Sequence, residues 1–192
     1  MEDNFSELGR VAAIAKLFEG SGYKPYEDAC FEAGAKEQVV NASRVLLEGI
    51  DFDLIYFPLK HLGYKSVIAV TGELYAKLAH PKTLAITLGI SAKLDYSHIS
   101  ELFGGIVTAA KEHGYKKIAL DLMPSRNGLT VAVSANGTTS KLTATRRPQA
   151  KSMDLICISG ELGAAYMGMQ VLIHEKAIPF LSINGGDEVA QN

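Results

Sequence analysis

Three stretches of the chain carry apolar residues at the three- and four-residue spacing of an amphipathic helix. The first is predicted from Ser6 to Phe18 and the second from Pro58 to Ala79, where Pro81 stops it. Asp95 can cap the amino terminus of a third helix, and Gly114 closes it. The pattern therefore predicts three substantial helices within the first 114 residues.

Apolar residues that alternate with small or polar ones predict strands between these helices. The clearest is Thr83–Ile90; others are predicted at Gln38–Leu47, Lys117–Leu122 and Leu129–Ala135, and a short one at Ala29–Phe31. Asn136 and Gly137 are typical of a tight turn, so Thr138–Thr143 is expected to return as the second strand of a hairpin. The order has no strict strand–helix–strand alternation, which favours an α+β fold over a doubly wound one.

A polar and basic stretch, Thr145–Lys151, divides the chain. Beyond it the pattern predicts a strand at Leu155–Ser159, a helix at Leu162–Glu175 and a last strand at Pro179–Ile183. We therefore expect a first domain at residues 1–150, followed at residues 151–192 by a linker and the first strand and helix of a second domain.

Composition narrows the class of protein. Apolar residues make up 47% of the chain and charged residues 21%, the balance of a soluble globular protein. A net charge of −2 argues against a nucleic-acid partner, and no apolar stretch reaches the roughly 18 residues of a membrane span. The amino terminus lacks the apolar region that a secretory signal requires. Cys30 and Cys157 lie in apolar runs and are expected to be reduced and buried, so we predict a cytoplasmic location.

Three segments of the sequence carry a family resemblance. They are Leu46–Leu54 continued by Pro58–Lys65, then Tyr75–Lys82, and finally Asp154–Gly168. Together they resemble the amino-terminal half of thiamine-monophosphate kinases, whose fold is shared with aminoimidazole ribonucleotide synthase. The resemblance covers nearly the whole chain. Of the family's second domain, only the first strand and helix have a counterpart here, at residues 153–176.

The resemblance implies a fold and an assembly. The amino-terminal domain of this family has a mixed sheet with helices on one face, and its sheet pairs with that of a second copy in a dimer. Thr83–Ile90 is apolar enough to need such a cover. We therefore expect a homodimer of an α+β domain.

The resemblance also implies candidate site residues. Such kinases hold Mg²⁺ ions between phosphates with carboxylates, because Mg²⁺ prefers hard oxygen ligands. The family motifs align with Asp28, Ser43, Glu73, Asp121 and Arg147, which would form a vestigial Mg-ATP site, with Asp28, Glu73 and Asp121 as the metal ligands. Asp51 stands where the family has a substrate-side histidine.

Two residues depart from the family pattern in a way that opposes catalysis. Arg44 replaces an aspartate of a Ser/Thr-Thr-Asp motif, and Leu120 replaces a glycine of a Gly-Gly-Asp motif, where bare backbone must approach phosphate. A cation about 4 Å from a metal repels it by several kcal/mol at an effective dielectric of roughly 20. Three outcomes stay open: the acids are solvated, they hold a metal, or one of them pairs with Arg44.

Three functions are compatible with these residues. The leading hypothesis is a non-catalytic protein, a pseudoenzyme, that requires no cofactor and retains at most residual nucleotide binding. The alternative is a phosphotransferase that uses Mg²⁺ and ATP on thiamine monophosphate or a similar phosphate ester. A third hypothesis is a subunit that assembles with a full-length kinase relative or with a separately encoded second domain.

Overall fold

A computed structural model describes residues 8–27, 29–145 and 149–184. The chain forms two compact units, Met1–Pro148 and Gln149–Asn192. The elements of the first unit are α1 (Arg10–Phe18), β1 (Glu37–Leu47), α2 (Leu59–Ala76), β2 (His80–Ser91), α3 (Tyr96–Glu112), β3 (Lys117–Ser125), β4 (Thr130–Ser140) and α4 (Lys141–Thr145). The second unit contains α5 (Ala164–Asn184).

The four strands form one mixed sheet in the order β1-β4-β2-β3. β4 pairs antiparallel with β1 and with β2, whereas β2 and β3 run parallel and are connected through α3. Parallel neighbours need such a crossover, which a helix commonly supplies. The predicted α+β fold with a mixed sheet is confirmed.

One face of the sheet is the core face. A row across all four strands, Leu46, Val131, Leu88 and Leu122, is at most 4% exposed. Residues alternate between the two faces of a strand, so the even positions of β1, β2 and β3 lie on this face. The side chains of α2 and α3, such as Leu62 and Phe103, complete the core.

The other face, which we call the open face, carries smaller and more polar residues. One row across it is Val45, Ala132, Thr87 and Asp121, and the next is Ser43, Ser134, Ala85 and Ala119. The β1 members, Ser43 and Val45, are exposed, and Val45 retains 51% of its accessible surface. The sheet is therefore buried strongly on one side only.

Two glycines set the distance between the helices. A Cβ on Gly63 of α2 would lie 2.0 Å from the carbonyl oxygen of Leu102, and one on Gly105 of α3 would lie 1.9 Å from that of Lys60. Neither separation is possible for real atoms, so both positions require glycine. The two helices therefore cross with their backbones in contact.

The predicted hairpin at Asn136 and Gly137 is wrong. β4 runs without a turn from Thr130 to Ser140, because β1 and β2 flank it on both sides and pair with it through this region. Gly137 serves a close approach instead, since a Cβ there would lie 2.6 Å from the carbonyl oxygen of His80. The Asn136 carboxamide accepts a hydrogen bond from Asn41 at 2.9 Å across the open face.

Three further predicted strands are wrong. Ala29–Phe31 and residues 155–159 have no regular structure, and the helix α5 continues through residues 179–183. A strand is stable only when its backbone groups are paired, and the described part of the second unit contains no strand to pair with. The prediction of a helix after residue 162 is confirmed by α5.

The prediction that both cysteines are buried is also wrong, since Cys30 and Cys157 are exposed. Each lies in a segment without regular structure, so the apolar neighbours in sequence do not enclose the thiol. Within the described ranges, no helix is both long enough and apolar enough to cross a membrane.

The helix crossing can be tested with two adjacent glycines of α3. Gly105→Ala is expected to lower the free energy of unfolding by about 1–3 kcal/mol or more, because the new methyl group forces the helices apart. Gly104→Ala is the matched control, since nothing lies within 4 Å of its Cβ, and it should gain up to about 1 kcal/mol of helix propensity. Urea unfolding measures both, and equal effects would contradict the backbone contact.

Asp95 caps α3 and gives a pH-dependent contribution to stability. Its carboxylate accepts from the His98 backbone N–H at 3.0 Å and the Ser97 hydroxyl at 2.7 Å, and these bonds lower the pKa of Asp95 to about 2. A pKa lowered by folding stabilises the folded state at pH values above the unfolded-state pKa of about 4. This stabilisation is lost as the pH falls toward 2. Asp95→Ala should therefore lower Tm at pH 7, and the difference from the parent protein should shrink below pH 4 in thermal melts. A constant difference would contradict this role.

Candidate functional site

Arg44 lies on the core-face side of β1 and reaches a carboxylate of α2. Its register partner is Val133, and its guanidinium Nη2 donates to Glu73 Oε1 at 3.1 Å. The side chains are 54% and 38% exposed, so the pair is accessible from solvent. Ion pairs this exposed contribute at most about 1 kcal/mol to stability. Of the three outcomes left open by the sequence, pairing of Arg44 with an acid is confirmed for Glu73.

Ser43 precedes Arg44 but lies on the other side of the sheet. It belongs to the open face and pairs in register with Ser134. Arg44 lies on the opposite face, the same one as the buried Ala42 and Leu46. The strand alternation therefore separates the surviving hydroxyl from the ion pair of Arg44 and Glu73. The structure does not bring Ser43 and Glu73 together.

Asp121 lies at the far edge of the sheet and has a different cationic partner. Its Oδ1 is 3.4 Å from Arg10 Nη1, at the start of α1, and the side chains are 63% exposed for Arg10 and 49% for Asp121. β1 and β3 are three strand spacings apart, which is about 14 Å. Asp121 is therefore remote from Arg44, and the structure does not bring these two positions of the aligned motifs together.

Leu120 has a structural role that accounts for its side chain. It pairs in register with Ile86 on the core face and packs, partly buried, against the hydrophobic core. Asp121 follows it onto the open face. A leucine here adds core contacts at a position where the related motif has glycine.

Asp28 and Arg147 lie outside the described residues, so their part in the candidate site stays a prediction. Glu27, next to Asp28, forms an ion pair with Lys117 at 3.4 Å. Within the part of the chain that is described, no group of three or more histidine, cysteine, aspartate or glutamate side chains could hold a metal. A metal site made of Asp28, Glu73 and Asp121 also stays a prediction.

Asp51 is engaged in the turn that follows β1. Its Oδ2 accepts from the Leu47 backbone N–H at 2.8 Å, and its own carbonyl accepts from Lys65 Nζ at 3.0 Å. Gly49, with φ of 81°, allows the chain to reverse at this point. The carboxylate thus stabilises a local turn, and its assignment to a substrate stays a prediction.

The two described acids of the aligned motifs therefore each face an arginine of the same chain. Because both pairs are largely exposed, solvent screens the repulsion between either arginine and a bound cation as it screens the attraction within each pair. Sequence reasoning identified Arg44 but missed Arg10, because nothing in the local pattern of α1 indicates contact with β3. In the described structure the Glu73 and Asp121 carboxylates are each paired with an arginine.

No family model matches the chain, but several curated proteins are similar to it. The thiamine-monophosphate kinase of Bacillus subtilis is 27% identical over 130 residues, 68% of this chain and 40% of that protein. The same enzyme of Synechococcus elongatus is 27% identical over 174 residues, 90% of this chain and 53% of that protein. The chain thus spans about half the length of the curated relatives it matches, and the resemblance seen in the motifs is confirmed.

A solved structure supports the fold. AaThiL complexed with AMPPCP and TMP aligns with a TM-score of 0.52 and 20% identity, covering 70% of this chain and 43% of that one. Identity at this level supports the architecture alone.

Proposed function

From the premise that this chain is a relative of the thiamine-monophosphate kinases with their α+β fold, we propose that it is a non-catalytic member with at most residual nucleotide binding. One observation carries the proposal. Arg44 Nη2 lies 3.1 Å from Glu73 Oε1, where the aligned motifs have two acids. The guanidinium supplies in a permanent form part of the charge compensation that a Mg²⁺ ion would otherwise bring.

The pair of Arg10 and Asp121 supports the same conclusion at the other edge of the sheet. Phosphoryl transfer depends on cations that neutralise several phosphate oxygens at once, and these are usually metal ions. In this chain the Glu73 and Asp121 carboxylates already have cationic partners, and a metal would have to displace them. Neither Mg²⁺ nor ATP is then required for the folded state.

Reversing the charge of Arg44 tests the proposal. Calorimetry of the parent protein should show no Mg²⁺-dependent ATP binding at micromolar strength, which would correspond to about 8 kcal/mol. Arg44→Asp should raise Mg²⁺ affinity at least tenfold, because it removes a repelling cation and adds a hard oxygen ligand. Arg126→Asp, the same change at an exposed turn residue, is the matched control and should gain nothing.

A turnover assay distinguishes the non-catalytic proposal from the phosphotransferase alternative. If the parent protein phosphorylates thiamine monophosphate, or a similar phosphate ester, with ATP and Mg²⁺, the non-catalytic proposal fails and the phosphotransferase hypothesis takes its place. If Arg44→Asp and Arg126→Asp bind Mg²⁺ equally, neutralisation by Arg44 is not the reason for the missing activity.

We further propose that the protein is a homodimer in which the open faces of two copies meet. Val39, Val45 and Leu47 of β1 are 50%, 51% and 38% exposed and lie on that face, beside the small residues of β4 and β2. An apolar strip among small side chains allows two sheets to approach closely. A stable interface of this kind would bury about 1,600 Å² in total.

The mass of the complex in solution tests this assembly. Analytical ultracentrifugation should give twice the chain mass of 20.6 kDa, and Val45→Lys should shift the species toward the monomer by placing two like charges in the interface. Val11→Lys, at a residue 67% exposed on α1, should leave the dimer intact. A monomer in the parent protein would overturn the proposal.

One observation favours assembly with a longer kinase relative or with a separate second domain. The second unit exposes a run of apolar side chains, in which Met153, Leu155 and Ile156 are 94%, 92% and 90% exposed. Contiguous apolar surface of this kind marks interaction sites. In such an assembly, the complex recovered from the protein's own cell extract would have the mass of this chain plus that of the identified relative.

A further inference from the structure

Three polar side chains on the open face form a hydrogen-bonded patch between β1 and β4. Asn41 of β1 pairs in register with Asn136 of β4. The Nδ2 of Asn41 donates to Asn136 Oδ1 at 2.9 Å and to Ser134 Oγ at 3.2 Å. Asn136 Nδ2 in turn donates to Oγ1 of Thr83 on β2, at 3.5 Å, and Thr83 is 1% exposed. Asn41, Ser134 and Asn136, which we call the carboxamide patch, are thereby held in fixed positions on the sheet.

The carboxamide patch keeps one acceptor and one donor for a partner. The Nδ2 of Asn41 is turned toward β4, where it also donates to the carbonyl oxygen of Ala135 at 3.4 Å. Among the described residues, no donor reaches Asn41 Oδ1, and the Ser134 hydroxyl, which accepts from Asn41, donates to none. A carboxamide oxygen accepts up to two hydrogen bonds and a hydroxyl donates one. The patch therefore presents complementary groups side by side.

Apolar side chains flank the patch along β1. Val39 lies two residues before Asn41 and Val45 lies four residues after it, on the same face of the strand, and they are 50% and 51% exposed. Contact between the open faces of two copies would cover both valines and with them Asn41. Burial of an amide without a hydrogen-bond partner costs free energy. The covering surface must therefore offer a donor to Asn41 and an acceptor to Ser134.

The open face of a second copy meets this requirement. It carries the same acceptor and donor, and in a twofold interface each copy presents the same surface to the other. From Asn41 to Leu47, the open-face positions of β1 and their partners on β4 and β2 carry no charged side chain. Like charges therefore do not oppose the contact. A partner with a wholly apolar surface, in contrast, would leave the patch without hydrogen bonds.

We propose that the carboxamide patch fixes the register of the homodimer, an inference that rests on the dimer proposed above. In this register the patch of one copy faces the patch of the other, and Asn41 Oδ1 accepts from Ser134 of the partner subunit. Side chains on one face of a strand repeat every two residues, about 7 Å, so valines and alanines alone would fit at several registers. Only one of these registers pairs the two patches. A single polar residue specifies register in this way in coiled coils, at some cost in stability.

Distances between spin labels on the two copies test the register. A background with Cys30→Ser, Cys157→Ser and Glu101→Cys carries one nitroxide per chain, at an exposed position of α3. Double electron–electron resonance should give one narrow distance distribution for this dimer. Asn41→Leu, a change of similar side-chain volume, should keep the dimer mass but split the distribution or at least double its width. Asn127→Leu, the same change at an exposed turn residue, is the matched control and should leave one narrow distribution.

A second variant and the state of the parent protein complete the test. Ser134→Ala removes the donor of the patch and should broaden the distribution as well. One narrow distribution in both the labelled parent and Asn41→Leu would overturn the role of the patch and leave the homodimer standing. Loss of the dimer in Asn41→Leu, at an unchanged melting temperature, would show that the carboxamide supplies affinity instead of register and would also overturn that role. A monomeric parent protein would overturn the homodimer itself, and the role of the patch with it.

Discussion

Backbone contact between α2 and α3 is the constraint on which the rest of the first unit depends. Gly63 and Gly105 let each helix accept a carbonyl oxygen of the other where a Cβ would lie about 2 Å away. Helices this close form a compact layer, whose Leu62 and Phe103 fill the core over one face of the sheet.

The ion pair of Arg44 and Glu73 joins β1 to α2 beside this core. Arg44 is long enough to extend from the core-face side of β1 past the buried Ala42 and Leu46 to the carboxylate of α2. An acid at the same place would put a second negative charge near Glu73, which disfavours ionisation of the pair or favours a bound cation. In this chain the cation beside Glu73 is thus part of the sequence itself.

The face of a strand decides which residues can act together. Ser43 and Arg44 are neighbours in sequence but lie on opposite sides of the sheet, as do Leu120 and Asp121. Arg10 and Asp121, in contrast, are distant in sequence and paired in space. Motifs aligned along the chain do not record which face or which edge of the sheet each residue occupies.

Local pattern by itself determined the helices α1, α2 and α3, most of the strands and the mixed α+β class, because amphipathic spacing and caps such as Asp95 act within a few residues. It also pointed to Arg44, which pairs with Glu73 in the structure. Only the tertiary structure decided that Asn136 and Gly137 continue β4, since pairing on both sides outweighs a turn preference, and that residues 155–159 form no strand, since no partner strand is beside them. The partners of Glu73 and Asp121 likewise depend on contacts between remote segments, which periodicity along one sequence does not encode.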